Sequence, residues 1–163
     1  MKYLFSVIAI FLSATVFAQV EKGDFSAAGS LSYQNFSSDG FSSSTGQLFL
    51  KGGYFFTQNL EAGTSLQVFL AEGAEGFGIG PYATYNFLTT DGKLLPYAGG
   101  QLSILSLGDS NLNTVGLYGG SKYFLNETVN VDFGLSLQKG FGDFDGTLFG
   151  ATLGIGVLLG KLK

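Results

Sequence analysis

From residue 25 onward, apolar and polar residues alternate over long stretches, and nowhere is helical spacing sustained. Eight alternating runs fall at about 25–35, 47–57, 60–70, 77–88, 95–107, 114–126, 129–138 and 147–159. In the seventh, Val129, Val131, Phe133, Leu135 and Leu137 share one face, and Asn130, Asp132, Gly134, Ser136 and Gln138 share the other. In the eighth, Phe149, Ala151, Leu153, Ile155, Val157 and Leu159 oppose Leu148, Gly150, Thr152, Gly154, Gly156 and Leu158. At about ten residues, each run exceeds the usual globular strand of roughly 5–6 and matches the roughly 9–11 of a tilted membrane-spanning strand.

The connections alternate in character. Tight ones are centred on Gln58-Asn59, on residues 89–94 and on Glu127-Thr128, whereas residues 37–46, 71–76, 108–113 and 139–146 read as longer, Gly/Ser-rich, acidic loops. Short turns at one rim, longer loops at the other and an even strand number predict an eight-stranded antiparallel up-and-down transmembrane β-barrel, with both termini at the short-turn rim. Two places resist the pattern. Pro81 cannot donate a ladder hydrogen bond, so the fourth run should begin after it or bulge there. The alternation slips at Ile104-Leu105, as if the fifth strand had reached its rim.

Alternation alone does not say which face is wet; the charges decide it. Of the residues after position 18, only Lys51, Glu61, Lys122 and Asp132 place a charge inside a run, and all four lie on the polar, Gly-rich face. A soluble exterior would carry far more charge. A narrow lumen accounts for the small residues, which leave room for inward Phe49, Phe55, Phe69, Tyr82, Tyr97, Tyr118 and Phe124. Closure also pairs every backbone group, which lipid demands. Phe25, Tyr33, Tyr54, Phe56, Tyr85, Phe87 and Tyr123 lie near run ends and suit interfacial girdles.

The chain's start is of another kind. Lys2 precedes an apolar run over residues 3–12, followed by small residues up to Ala18, the pattern of a secretory signal peptide over residues 1–18 cut between Ala18 and Gln19. The run is too short for a spanning helix. Residues 19–163 then form the barrel domain.

Composition narrows the chemistry. The 163 residues include no His, no Cys and no Trp, 26 Gly, and 8 basic against 12 acidic side chains, for a net charge of −4. That excludes triads that need His, Cys or His metal sites, and disulfides. All the basic residues are Lys, so the chain lacks the forked donor suited to phosphate, and nucleic acid is not an expected partner. No cofactor is expected. Asp143-Phe144-Asp145-Gly146 faintly matches a calcium loop but lacks the distal Glu, and reads as a solvated acidic loop. With Asp39, Glu72, Glu75 and Asp109 it makes the longer connections acidic.

One constellation is more specific. A turn centred on Glu127 sets Lys122 opposite Asp132 on adjacent strands, both facing the lumen. A lumenal Lys122–Asp132 ion pair is expected, neutralising charge in a poorly hydrated interior. Lys51 and Glu61 should flank it, several residues out of register.

Three stretches, Gly53-Tyr54-Phe55-Phe56-Thr57-Gln58-Asn59-Leu60, Leu95-Pro96-Tyr97-Ala98-Gly99-Gly100 and Gly120-Ser121-Lys122-Tyr123-Phe124-Leu125-Asn126-Glu127, resemble strand-turn phrases of the small outer-membrane β-barrel proteins, the OmpA/OmpX-like group of Gram-negative bacteria. The resemblance covers the chain after the leader and implies a cell outer-membrane location with both mature termini periplasmic. It implies contact with outer-membrane lipid and lipopolysaccharide, and insertion by the barrel assembly machinery. Thr152, Gly154, Val157 and Leu159 resemble that group's assembly signal, although Gly160-Lys161-Leu162-Lys163 replaces the usual terminal aromatic residue. No peptidoglycan-binding domain is expected after the barrel, so the tethering role of longer relatives is not carried over. Barrel phospholipases, omptin proteases and lipid A deacylases or palmitoyltransferases are similar in architecture but use a catalytic His, so enzyme activity of those kinds is not expected. The expected role is that of a structural or surface-interacting monomer with a filled lumen. The competing expectation is a narrow porin-like channel or conduit for small or apolar solutes, which a continuous glycine-lined path would favour.

Overall fold

The computed structural model describes residues 20–38, 41–69, 76–90, 92–107, 110–142 and 145–160. The leader with its Ala18/Gln19 junction lies outside the described residues, as do Asp39, Glu72, Glu75, Asp109 and Asp143 of the acidic connections.

Eight strands follow one another: β1 (Phe25–Ser38), β2 (Phe41–Phe55), β3 (Leu60–Phe69), β4 (Gly76–Asn86), β5 (Leu94–Leu107), β6 (Ser110–Phe124), β7 (Val129–Gly142) and β8 (Gly146–Gly160). Each pairs antiparallel with its sequence neighbours, and β8 closes on β1. The register from Ser26 passes through Gly53, Gly63, Tyr82, Gln101, Gly116, Gln138 and Leu148 and returns to β1 at Phe36, a shear of ten residues. Such a stagger tilts the strands about 40° from the barrel axis.

Local chemistry sets the turns at the rim where β1 begins and β8 ends. Thr57 Oγ1 accepts from the backbone N–H of Leu60 at 2.9 Å and Asn59 at 3.2 Å. Asn126 Oδ1 likewise accepts from Val129 at 2.8 Å and Thr128 at 2.9 Å. Each side-chain oxygen mimics a backbone turn acceptor and fixes the hairpin register.

Three expectations need correction. The opposite rim has few long loops: the strands run on through most of residues 37–46, 108–113 and 139–146, leaving two residues between β1 and β2, two between β5 and β6 and three between β7 and β8. Beyond lipid there is no apolar face to reveal a strand, yet pairing still satisfies the backbone. Asn35 Nδ2 donates to Ser44 Oγ at 3.1 Å, and Ser106 Oγ to Asn111 Oδ1 at 3.1 Å. Second, Pro81 neither starts β4 nor bulges it. Ile79↔Ile104 and Tyr82↔Gln101 keep one register, Pro81 stays paired with Thr64, and the ladder lapses only toward β5. A missing donor costs one side of the strand and leaves the other intact. Third, alternation does not slip at Ile104-Leu105. Ile104 faces out and Leu105 is buried inside, because the lumen is apolar at that level.

The exterior inverts a soluble protein's surface. Leu31, Leu117, Phe133, Leu153 and Ile155 stand exposed while Gln34, Gln47, Gln67 and Asn86 are buried inside. Near the terminal rim, Phe25, Tyr54 and Phe56 stack edge to face at ring separations of 5.1 and 5.0 Å, and Tyr85 on Phe87 at 5.1 Å. Tyr123 joins this girdle through its pairing with Leu94, whereas Tyr33 sits toward the far rim, opposite Gly46. Eight to nine residues of tilted strand separate the two levels, about 20–23 Å, close to the apolar band of an outer-membrane barrel.

Candidate functional site

Inward side chains are arranged in layers along the lumen. At the terminal end, Val20, Phe55, Leu95, Phe124 and Leu158 form one apolar cluster. Above this floor lie four charges. Glu61 is 4% exposed and accepts three hydrogen bonds: from Lys122 Nζ to Oε2 at 2.9 Å, and to Oε1 from Ser26 Oγ at 2.7 Å and Tyr82 OH at 2.8 Å. Asp132 Oδ1 accepts from Tyr97 OH at 2.6 Å. Lys51 Nζ lies 4.4 Å from the centre of the Tyr118 ring and 5.3 Å from that of Tyr82, a cation held on two π faces. Lys122 Nζ also sits 5.5 Å from the Tyr97 ring and 5.8 Å from Phe55. Tyr118 OH shares a 2.5 Å hydrogen bond with Thr84 Oγ1.

Higher up is an amide and hydroxyl layer. Gln47 Nε2 donates to Gln34 Oε1 at 2.9 Å, Gln67 Nε2 to Ser103 Oγ at 2.8 Å and Thr114 Oγ1 to Gln138 Oε1 at 3.1 Å. Leu105, Leu112 and Leu148, each at most 5% exposed, cap the other end.

The strand register sets Lys122 opposite Asp132, but the ion pair expected between them does not form. Among the described residues the ion pair within 4 Å is Lys122–Glu61, between β6 and β3, three strands apart. The physical reason is reach and competition. The Lys stem spans the lumen, Glu61 comes with two further donors, and the shorter Asp132 is taken by Tyr97. Lys51 and Glu61 do join the cluster, since the shear brings to one level residues that hairpin counting leaves apart. Two cations and two carboxylates therefore share the lumen. Sequence reasoning took Tyr82, Tyr97 and Tyr118 as bulk and missed them as carboxylate donors and cation seats. Ser26 and the Gln34/Gln47 pair escaped it as well. Their inward parity was the available signal.

Several inward glycines face aromatic side chains rather than open space. A Cβ on Gly53 would lie 2.3 Å from Tyr82 OH and 2.7 Å from Glu61 Oε1, one on Gly99 2.7 Å from the Tyr118 ring, and one on Gly134 2.7 Å from Tyr97 OH. These residues are the seats of the inward aromatics. At Gly120 a Cβ would meet Phe133 O at 2.1 Å, and Gly134 Cα and Tyr97 OH at 2.7 Å. Gly120→Ala is therefore expected to destabilise the barrel by about 1–3 kcal/mol in urea unfolding from lipid vesicles. Gly52→Ala, on the outward face with nothing within 4 Å, should be nearly neutral. Equal effects at the two positions would refute the seat.

The residues resembling an assembly signal all lie on β8, with Thr152 and Gly154 turned inward and Val157 and Leu159 outward. Thr152 Oγ1 donates to Gly134 O at 3.3 Å. Among the described residues no group of three or more carboxylates is placed to hold a metal ion.

No protein-family model matches the chain, and no curated protein sequence does. Solved structures do. The crystal structure of Neisserial surface protein A (NspA) superposes with a TM-score of 0.66 at 21% identity, covering 85% of this chain and 97% of that one. The N-terminal β-barrel domain of Pseudomonas aeruginosa OprF gives 0.60 at 20% identity over 81% and 97%. A designed transmembrane β-barrel gives 0.55 at 13% over 85% and 98%. The chain has the fold of small eight-stranded outer-membrane barrels. A design shares it, so the fold by itself specifies no activity.

Proposed function

We propose that this protein is an integral barrel of the bacterial outer membrane with a sealed, side-chain-filled lumen, acting as a structural element that displays its polar hairpin ends at the cell surface. The observation that carries the reading is the stack of inward side chains, apolar at both ends around a neutralised polar middle. A water-filled pore needs a continuous polar path, and here aromatic rings and their hydrogen bonds occupy the glycine-walled space. The outward apolar belt faces lipid and, in the outer leaflet, lipopolysaccharide. Both mature termini lie in the periplasm, on the side of the aromatic girdle around Tyr54 and Tyr85. The assembly machinery reads β8 through Thr152, Gly154, Val157 and Leu159, and the barrel works as a monomer without a cofactor. A sequence without His or Cys offers no nucleophile–imidazole pair, which favours a non-enzymatic role.

Purified barrel in planar lipid bilayers is expected to give no steady single-channel steps across ±100 mV, roughly the range of membrane potentials. Reproducible steady conductance would overturn the sealed reading in favour of a narrow channel.

A further inference from the structure

We infer that the segment ahead of β1 is a displaceable stopper for the terminal mouth of the barrel, with Val20 as the side chain that fits the mouth; the inference rests on the sealed-lumen reading above. Residues 20–24 belong to no strand, yet Val20 is 4% exposed and packs into the floor formed by Phe55, Leu95, Phe124 and Leu158. Those four come from β2, β5, β6 and β8, so Val20 sits where a single apolar side chain reaches around the opening. The peptide folds under the rim to put it there. Gly23, at φ 98°, takes a backbone conformation that side chains disfavour, and its N–H donates to Phe55 O at 2.9 Å. Asp24 ties the turn by donating its N–H to Glu21 O at 3.2 Å and accepting the Glu21 N–H on Oδ2 at 2.8 Å. Phe55 N–H donates back to Asp24 O at 2.9 Å.

The stopper is held much less firmly than the wall. Each strand is stitched to two neighbours along its length, whereas residues 20–23 lie outside the ladders, tied to the wall at Gly23–Phe55 and by the Val20 side chain in its socket. Segments outside the ladders open locally without unfolding the rest. At the level of the floor and just above it lie groups ready to take water. Asn86 Oδ1 and Asn130 Oδ1 are buried without a hydrogen-bond partner, and the Lys122–Glu61 pair follows at the next level. Withdrawal of Val20 thus admits water and small polar solutes to the charged layer from the terminal side, while Leu105, Leu112 and Leu148 keep the far end shut.

The absence of cysteine makes the test clean. Asn130 lies opposite Phe124 of the floor, and its Oδ1 has no partner to lose, so Asn130→Cys reports on the space behind the stopper. The rate of modification by a charged methanethiosulfonate is measured on the folded barrel in detergent, with heat-modifiable gel migration verifying the fold. With Val20 intact the thiol should react slowly. Val20→Asp, which cannot stay in an apolar socket, should accelerate it about tenfold or more, and Val20→Leu should leave it protected. Val20→Gly serves where the Asp variant does not fold. Slow reaction in the Val20, Asp and Gly forms alike overturns the stopper and leaves the sealed lumen standing. Fast reaction with Val20 intact overturns the closed mouth itself.

Discussion

Glu61→Leu is expected to cost the barrel about 3–5 kcal/mol, the largest effect of any single substitution in the lumen. The loss leaves the Lys122 ammonium uncompensated in a space where its side chain is 15% exposed, and strips Tyr82 OH and Ser26 Oγ of their common acceptor. Most of that cost belongs to the stranded charge, so the double variant Glu61→Leu with Lys122→Leu should recover the greater part of it. Urea titration of barrel folded in lipid vesicles reads both values. Recovery below about a third would mean that the pair is not the unit that matters.

The same cycle separates two partners for Lys122. Lys122→Glu should impair folding, and Glu61→Lys should rescue it, whereas Asp132→Lys should not. Asp132 faces Lys122 across the β6–β7 ladder, but its hydrogen bond comes from Tyr97. Asp132→Asn keeps an oxygen for that hydroxyl and should cost only about 1 kcal/mol. Rescue through Asp132 rather than Glu61 would restore the ladder pair.

These two pairings mark how far the sequence alone could be read. Within a hairpin, contacts follow from counting: the turn centred on Glu127 gives Lys122↔Asp132, and the alternation gives the inward and outward faces of β7 and β8. Closure is different. Whether Glu61 on β3 meets Lys122 on β6 depends on the shear accumulated through β4 and β5, which no local pattern carries. Pro81 illustrates the reverse error. A missing donor looks like a strand break in one dimension, but in a sheet it removes one bond on one side, and Thr64 still pairs there. The protruding ends of β1, β2, β6 and β7 read as loops because amphipathic alternation is a signature of two solvents, and polar strand ends outside lipid meet one. Val20 was invisible for another reason. A single apolar residue ahead of the first strand carries no pattern, and only the assembled floor gives it a socket.

Leu117→Arg should cost about 2–4 kcal/mol, because Leu117 lies midway along β6, faces out and is 72% exposed, the place where the apolar belt is farthest from either rim. Exposure of that degree is the crux. In a soluble barrel a side chain so accessible is already in water, and replacing it with Arg should be neutral or mildly stabilising. In lipid the guanidinium must be desolvated or drag water with it, and its long stem reaches an interface only at some cost. Depth, rather than burial, then governs the penalty. Asn113→Arg, on the same face of the same strand but four residues closer to the far rim, should cost no more than about 1 kcal/mol. The strand, the outward face and the introduced charge are shared, so the difference between the two variants isolates the membrane. It is measured by urea unfolding from lipid vesicles, with heat-modifiable migration verifying insertion. Equal costs at Leu117 and Asn113, or none at either, would sink the assignment of this surface to lipid, and with it the reason for the scarcity of charge along the strands.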